Sequence, residues 1–115
     1  MTLLQKQQRF TVLVARLLLW LEDNDYRCTF GETYRPPEMA AINAANGKGI
    51  SHSLHTQRLA IDLNIFKSGV LLVSTPDYKP AGDYWKTLST DDYKCSWGGD
   101  FRDGNHFSIE NNGIS

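Results

Sequence analysis

Between Leu59 and Phe66 the chain reads Leu-Ala-Ile-Asp-Leu-Asn-Ile-Phe, an apolar run broken only by Asp62 and Asn64. As a strand, with its period of two, this run turns Asp62 to the same face as Ala60 and Asn64 and sets Ile61 and Leu63 on the other. Lys67-Ser68-Gly69 then reads as a turn into a partner strand from Val70 to Val73. The whole chain has 115 residues, enough for one domain spanning 1–115 with a single modest core. Any site must be built into the rim of that core.

The other elements follow from local signals. Thr2 and Gln5 have the form of a capping box, and Phe10, Leu13, Val14, Leu17 and Leu21 recur at helical spacing. This predicts an amphipathic helix ending near Asp23-Asn24, whose Leu17–Leu21 run belongs to the core and not to a membrane or partner surface. Tyr26, Cys28 and Phe30 alternate with polar residues as a half-buried strand would, in a segment that reaches Tyr34 before Pro36-Pro37 stops it. Pro37 opens a second helix through Ala45, with Asn46-Gly47 suited to positive φ at its end, and a Gly- and Ser-bearing loop covers Gly47–Ser53. A short helix is expected over Asp83–Leu88, after Pro76 and Pro80, and a last strand near His106–Glu110. The sum is an α+β fold: a small domain in which helices pack on an antiparallel sheet.

Composition excludes several function classes. Twelve Lys and Arg against thirteen Asp and Glu leave a net charge of −1, so no global positive field draws the chain to nucleic acid or an anionic membrane. Phe10–Leu21 is too short to span a bilayer, is interrupted by Arg16 and precedes no small-residue cleavage site. The expectation is a monomer that accumulates in the cytoplasm of the producing cell. Cys28 and Cys95 have neither a redox nor a zinc-finger spacing and are expected as free or buried thiols.

Two of the three histidines stand where zinc chemistry would choose them. His55 precedes Asp62 by seven positions, and His106 follows Asp103 by three. A catalytic zinc takes three ligands of the His and carboxylate type and leaves its fourth position to water. His55, Asp62 and His106 meet that count, and Asp103 can act as the separate carboxylate that moves the water's proton.

The string Ser53-x-His55-x6-Asp62 followed by Trp97-Gly98-Gly99-Asp100-Phe101-x-Asp103-x-x-His106-Phe107 resembles the family of zinc D-alanyl-D-alanine carboxypeptidases, vancomycin-resistance dipeptidases and phage L-alanyl-D-glutamate endolysins, and is most similar to the short endolysins. The resemblance implies Zn2+ on a sheet-borne site of His55, Asp62 and His106, with Asp103 as general base. It implies that Arg35, in Thr33-Tyr34-Arg35, steadies the oxyanion or orients substrate, and that Ser53 contacts substrate or supports the metal site. The implied substrate is the stem peptide of peptidoglycan, cut between L-Ala and D-Glu in the periplasm after release of the protein from the host cytoplasm. A D-alanyl-D-alanine carboxypeptidase of the same family, or a binding module stabilised by structural zinc, would carry part of the same pattern. Arg58 stands where many members have Gly, three positions after the first ligand, so its side chain must point away from the metal or replace a neighbouring contact. His52 is expected to be neither ligand nor base. Trp97 reads as packing before pocket wall, and Asp100 as a support for a ligand histidine or a turn residue.

Overall fold

Helix α1 (Leu3–Asp23) begins as its sequence predicts: Thr2 accepts from the Gln5 amide, and the Gln5 side chain accepts in return from the Thr2 amide. The computed structural model describes residues 1–46 and 53–115. Along α1, Phe10, Leu13, Leu17 and Leu21 are buried and form the inward stripe of an amphipathic helix, while Leu19, expected in the core with the rest of its run, lies on the outer face and is 66% exposed. Each such burial contributes about 1.5–3 kcal/mol. No described helix is long and apolar enough to cross a membrane.

Strand β1 (Tyr26–Phe30) is followed by α2 (Pro37–Ala45), β2 (Ala60–Lys67), β3 (Val70–Leu71), α3 (Lys79–Thr87), β4 (Cys95–Trp97) and β5 (His106–Ile109). Three single 3-10 turns, Leu54–Gln57, Thr75–Tyr78 and Gly98–Phe101, join them. The sheet runs β1-β2-β5-β4, with β3 also on β2, and every pair is antiparallel. The expected α+β fold is therefore the one observed. Ile61, Leu63 and Ile65 of β2 are buried, as are Phe107 and Ile109 of β5. Trp85 of α3 meets the rings of Phe10 and Phe107 edge-on and donates from Nε1 to the Ser108 carbonyl.

Several elements differ from expectation at their ends. The first strand stops at Phe30, four residues before Tyr34, because the pairing changes there. Phe30 is the last residue in register with β2; beyond it Gly31 donates to the Asp62 carbonyl and the Asp62 amide donates to Glu32, each at 2.8 Å. Two residues opposite one form a bulge, which turns the chain away from the ladder. The strand expected through Val73 ends at Leu71, and α3 starts at Lys79, not Asp83, since Pro80 occupies its first turn, where a missing N–H is harmless. Asn46 closes α2 at φ −91°, without positive φ, and residues 47–52, where a loop is expected, lie outside the described residues. Both cysteines are free; burial pushes the Cys95 thiol up to about 11, against a hydrogen bond involving Ser89, and raises that of Cys28.

Candidate metal centre

Asp62 and His106 face each other across β2 and β5. Both the N–H and the C=O of Asp62 are spent on the β1 side, and the His106 amide donates to the Asp103 carbonyl at 3.1 Å, so the two residues form a non-hydrogen-bonded pair. Such pairs bring antiparallel strands to their closest approach, which places the two side chains against each other.

His55 arrives from the 3-10 turn Leu54–Gln57. Ser53 caps that turn, its Oγ accepting from the His55 amide at 3.2 Å. The bulge at Gly31-Glu32 aims the following backbone at the same turn: the Thr33 carbonyl lies 2.9 Å from His55 Nδ1, and the Arg35 amide donates to the His55 carbonyl at 3.1 Å. A proton held on Nδ1 by a carbonyl leaves Nε2 with its lone pair free, the tautomer a metal requires.

His55 Nε2 and His106 Nδ1 each stand 3.3 Å from Asp62 Oδ1. The three ligand atoms lie within 4.8 Å of one another. Ligands about 2.0–2.1 Å from a tetrahedral metal are spaced about 3.3–3.4 Å apart. Asp62 Oδ1 is buried and lacks a hydrogen-bond partner, a costly state for a carboxylate oxygen that a cation between the three residues would relieve. The residues present therefore fit a divalent metal of the zinc type. Burial disfavours the charged form of Asp62, but the two histidines outweigh it and hold its carboxyl at about 2. Burial likewise disfavours the imidazolium of His55, and the Asp62 carboxylate with the Thr33 carbonyl and Glu32 outweighs it, raising the pKa above its ordinary value.

The ligands open into a cleft of about 390 Å³ whose walls include Arg35, Ser53, Phe101, Asp103 and Ile114. Arg35 is mostly buried and paired with Glu32, whose carboxylate also lies 3.7 Å from His55 Nδ1. Asp103 is exposed, on the turn that leads into His106. That turn depends on glycine. A Cβ on Gly98 would fall 2.2 Å from the Asp103 carbonyl oxygen and 2.6 Å from His106 Cβ, and one on Gly99 or Gly82 would strike the Trp97 indole. Trp97 is buried between them and donates from Nε1 to the Gly104 carbonyl at 2.7 Å.

The structure thus brings His55, Asp62, His106, Asp103, Arg35 and Ser53 to one cleft. Trp97 packs behind it and forms no part of its wall. Asp100 lies on the 3-10 turn after Trp97 and pairs with Lys86 at 3.4 Å, away from the ligand histidines. Arg58 adopts the left-handed conformation, φ 57° and ψ 35°, which explains why glycine suits the position; its guanidinium stacks 3.8 Å from the Tyr34 ring centroid and so points away from the metal ligands. His52 lies outside the described residues. Sequence reasoning missed Glu32, whose spacing of three from Arg35 was a readable signal, and the Asn111–Ile114 turn beside the cleft. Asn112 and Gly113 take φ 50° and 79° there, as an Asn-Gly turn does.

A family model described as D-alanyl-D-alanine carboxypeptidase matches residues 45–109. No curated protein matches the sequence. Among solved structures, the Serratia marcescens L-Ala D-Glu endopeptidase ChiX superposes with a TM-score of 0.65 over 90% of this chain and 79% of that one, at 17% identity. At that identity the likeness is one of fold.

Proposed function

The chain belongs to the D-alanyl-D-alanine carboxypeptidase family of cell-wall metallopeptidases, and we propose that it is a zinc peptidase that hydrolyses the peptidoglycan stem peptide between L-Ala and D-Glu. The observation that carries the reading is the pair of 3.3 Å histidine distances to an unpartnered Asp62 oxygen, in a cleft that also holds Asp103 and Arg35. His55, Asp62 and His106 hold the metal. When bound, zinc supplies Lewis acidity, polarising the scissile carbonyl and making water a nucleophile near neutral pH. Asp103 takes the proton from the attacking water and returns it to the departing nitrogen. Arg35, kept in place by Glu32, faces the negative charge that develops on the carbonyl oxygen. Ser53 holds the His55 turn and leaves its own hydroxyl proton available to a bound peptide.

The L-Ala–D-Glu bond is favoured by the fold shared with the Serratia endopeptidase, over nine-tenths of this chain. A D-alanyl-D-alanine carboxypeptidase is the second reading, supported by the description of the matching family model. Mass spectrometry of fragments from purified peptidoglycan separates them. New D-Glu amino termini with free L-Ala carboxyl ends support the first, and release of single terminal D-Ala supports the second. Asp103→Asn tests the mechanism: zinc content stays near one equivalent while turnover falls by roughly a hundredfold to ten-thousandfold. His55→Ala and His106→Ala lose both. An Asp103→Asn protein that cleaves at the parental rate would sink the mechanism.

A further inference from the structure

Asp103 belongs to two clefts. Beyond it, away from Arg35 and the metal ligands, lies a second hollow of about 350 Å³ walled by Asn64, Thr75, Arg102, Asn105 and Asp103 itself. Asn64 shares its strand face with Asp62 two residues earlier, so both hollows border the polar face of β2, with Asp103 common to their walls. The floor is fixed: the Asn105 carbonyl accepts from Leu63 at 2.9 Å, and Gly104 lies so close to Thr75 that a Cβ would reach 2.8 Å from its Cα.

Arg102 is the cation of this hollow. It forms no ion pair among the described residues, as is true of Arg9, Arg16 and Arg58, but of these it alone lines this hollow. Its backbone is left-handed, φ 64° and ψ 31°, a conformation glycine takes with less strain, so the backbone alone gives no reason for an arginine. Its neighbour Asp103 is an anion that a carboxylate-bearing ligand must pass, and a guanidinium on the far side offsets that repulsion. A planar fork of N–H donors is also the group that matches a carboxylate in two-point contact.

We propose that this second hollow is a substrate subsite in which Arg102 binds a free carboxylate of the peptide, on the side of the scissile bond opposite Arg35. The proposal rests on the peptidase reading and sharpens its substrate class: an acidic peptide, held by one arginine on each side of the metal. For a cut before D-Glu, the carboxylate is the α-carboxylate of that residue.

The test uses two synthetic stem peptides that differ only in whether the D-Glu α-carboxyl is free or amidated, with the zinc-loaded parent, Arg102→Gln and Arg102→Gly. The glycine variant suits φ 64° and so removes the guanidinium without straining the turn. The parent is expected to prefer the free carboxylate at least tenfold in kcat/KM, chiefly through KM, and both variants to lose that preference; Arg102→Lys restores part of it. Equal losses on both peptides, or a preference that survives in Arg102→Gly, would overturn the subsite. A second readout needs no turnover: a D-Glu peptide with a free α-carboxylate should shift the Arg102 Nε–H and Asn105 side-chain NMR signals in the parent, and the Asn105 signals should stay put in Arg102→Gly. Shifts without cleavage of either peptide would overturn the peptidase reading and leave the subsite standing, and unshifted signals would overturn the subsite.

Discussion

The two arms that carry the histidines to Asp62 are built alike and held differently. Each is a single 3-10 turn that ends on a left-handed arginine, Arg58 in one and Arg102 in the other. The His55 arm is tied by polar contacts: Ser53 Oγ on the His55 amide, the Thr33 carbonyl on the ring, Gln7 on the Gln57 carbonyl and Asn111 on the Gln57 side chain. Asn111 is itself held by Lys6 of α1. The His106 arm is held by shape, with Gly82, Gly99 and Gly104 arranged around or beside Trp97 and Gly98 pressed against Asp103 and His106. A polar tether is a sum of small terms and should weaken by degrees, whereas a close-packed one should fail on one added methyl group.

The largest expected effect is therefore Gly98→Ala. Its Cβ would meet backbone, which cannot swing aside as a long side chain can, so Asp103 and His106 must both shift. Overpacking of this kind costs about 1–3 kcal/mol, and a displacement of about 1 Å at a reacting group can cost roughly a hundredfold in rate. Denaturant melts with zinc-loaded kinetics check both. A variant with parental stability and turnover would mean that shape does not hold this arm. Ser53→Ala makes the matching cut in the polar arm and should cost about 0.5–2 kcal/mol, the usual worth of such a cap, with zinc still bound because the Thr33 contact persists. Zinc lost together with the cap would show that the arm has no redundancy.

The contrast also marks what the sequence could show. The strand with Asp62, the capping box of α1 and the His and Asp spacing were legible because each is a side-chain pattern. Thr33 was not, since it contributes its backbone carbonyl, and only the bulge at Gly31-Glu32 aims that carbonyl at His55. Strand β4 spans three residues, too short to show a period, and is defined by its pairing with β5. Trp97 was legible as packing, but not the ring of glycines around it, because which glycines meet an indole is a tertiary fact.

A pH series sharpens the polar arm further. Without metal, the Asp62 stabilisation is present above 3.8 and lost as pH falls through about 2, because its folded pKa is lowered. The His55 contribution has the opposite sign: with its folded pKa raised, it is fully present below 6.5 and lost as pH rises through the folded value. The Tm of the metal-free protein should thus be highest between those limits and decline as pH rises above 6.5. With zinc, His55 must be neutral, so protons compete and the zinc-dependent part of Tm should rise with pH over the same range. Calorimetry of both forms from about pH 2 to 9, a span that reaches both the Asp62 and the His55 transitions, checks this. Parallel curves would show that His55 is not a ligand.

The smallest expected effect lies at the end of the polar arm, in Arg58. Its left-handed backbone costs an ordinary residue about 1–2 kcal/mol, which glycine avoids, while glycine gives up about 0.5–1 kcal/mol through greater freedom in the unfolded chain. The guanidinium over Tyr34 contributes about 0.5–1 kcal/mol at so exposed a site. Arg58→Gly therefore removes one favourable contact and one strain of similar size and should leave stability within about 1 kcal/mol of the parent, a Tm change of a few degrees at most. Arg58→Ala loses the stack and keeps the strain, so it should melt below the glycine variant. Thermal unfolding of the three proteins side by side measures the difference. If alanine and glycine melt together, the position is not held at positive φ in solution, and the His55 arm closes without the left-handed turn that ends its counterpart at Arg102.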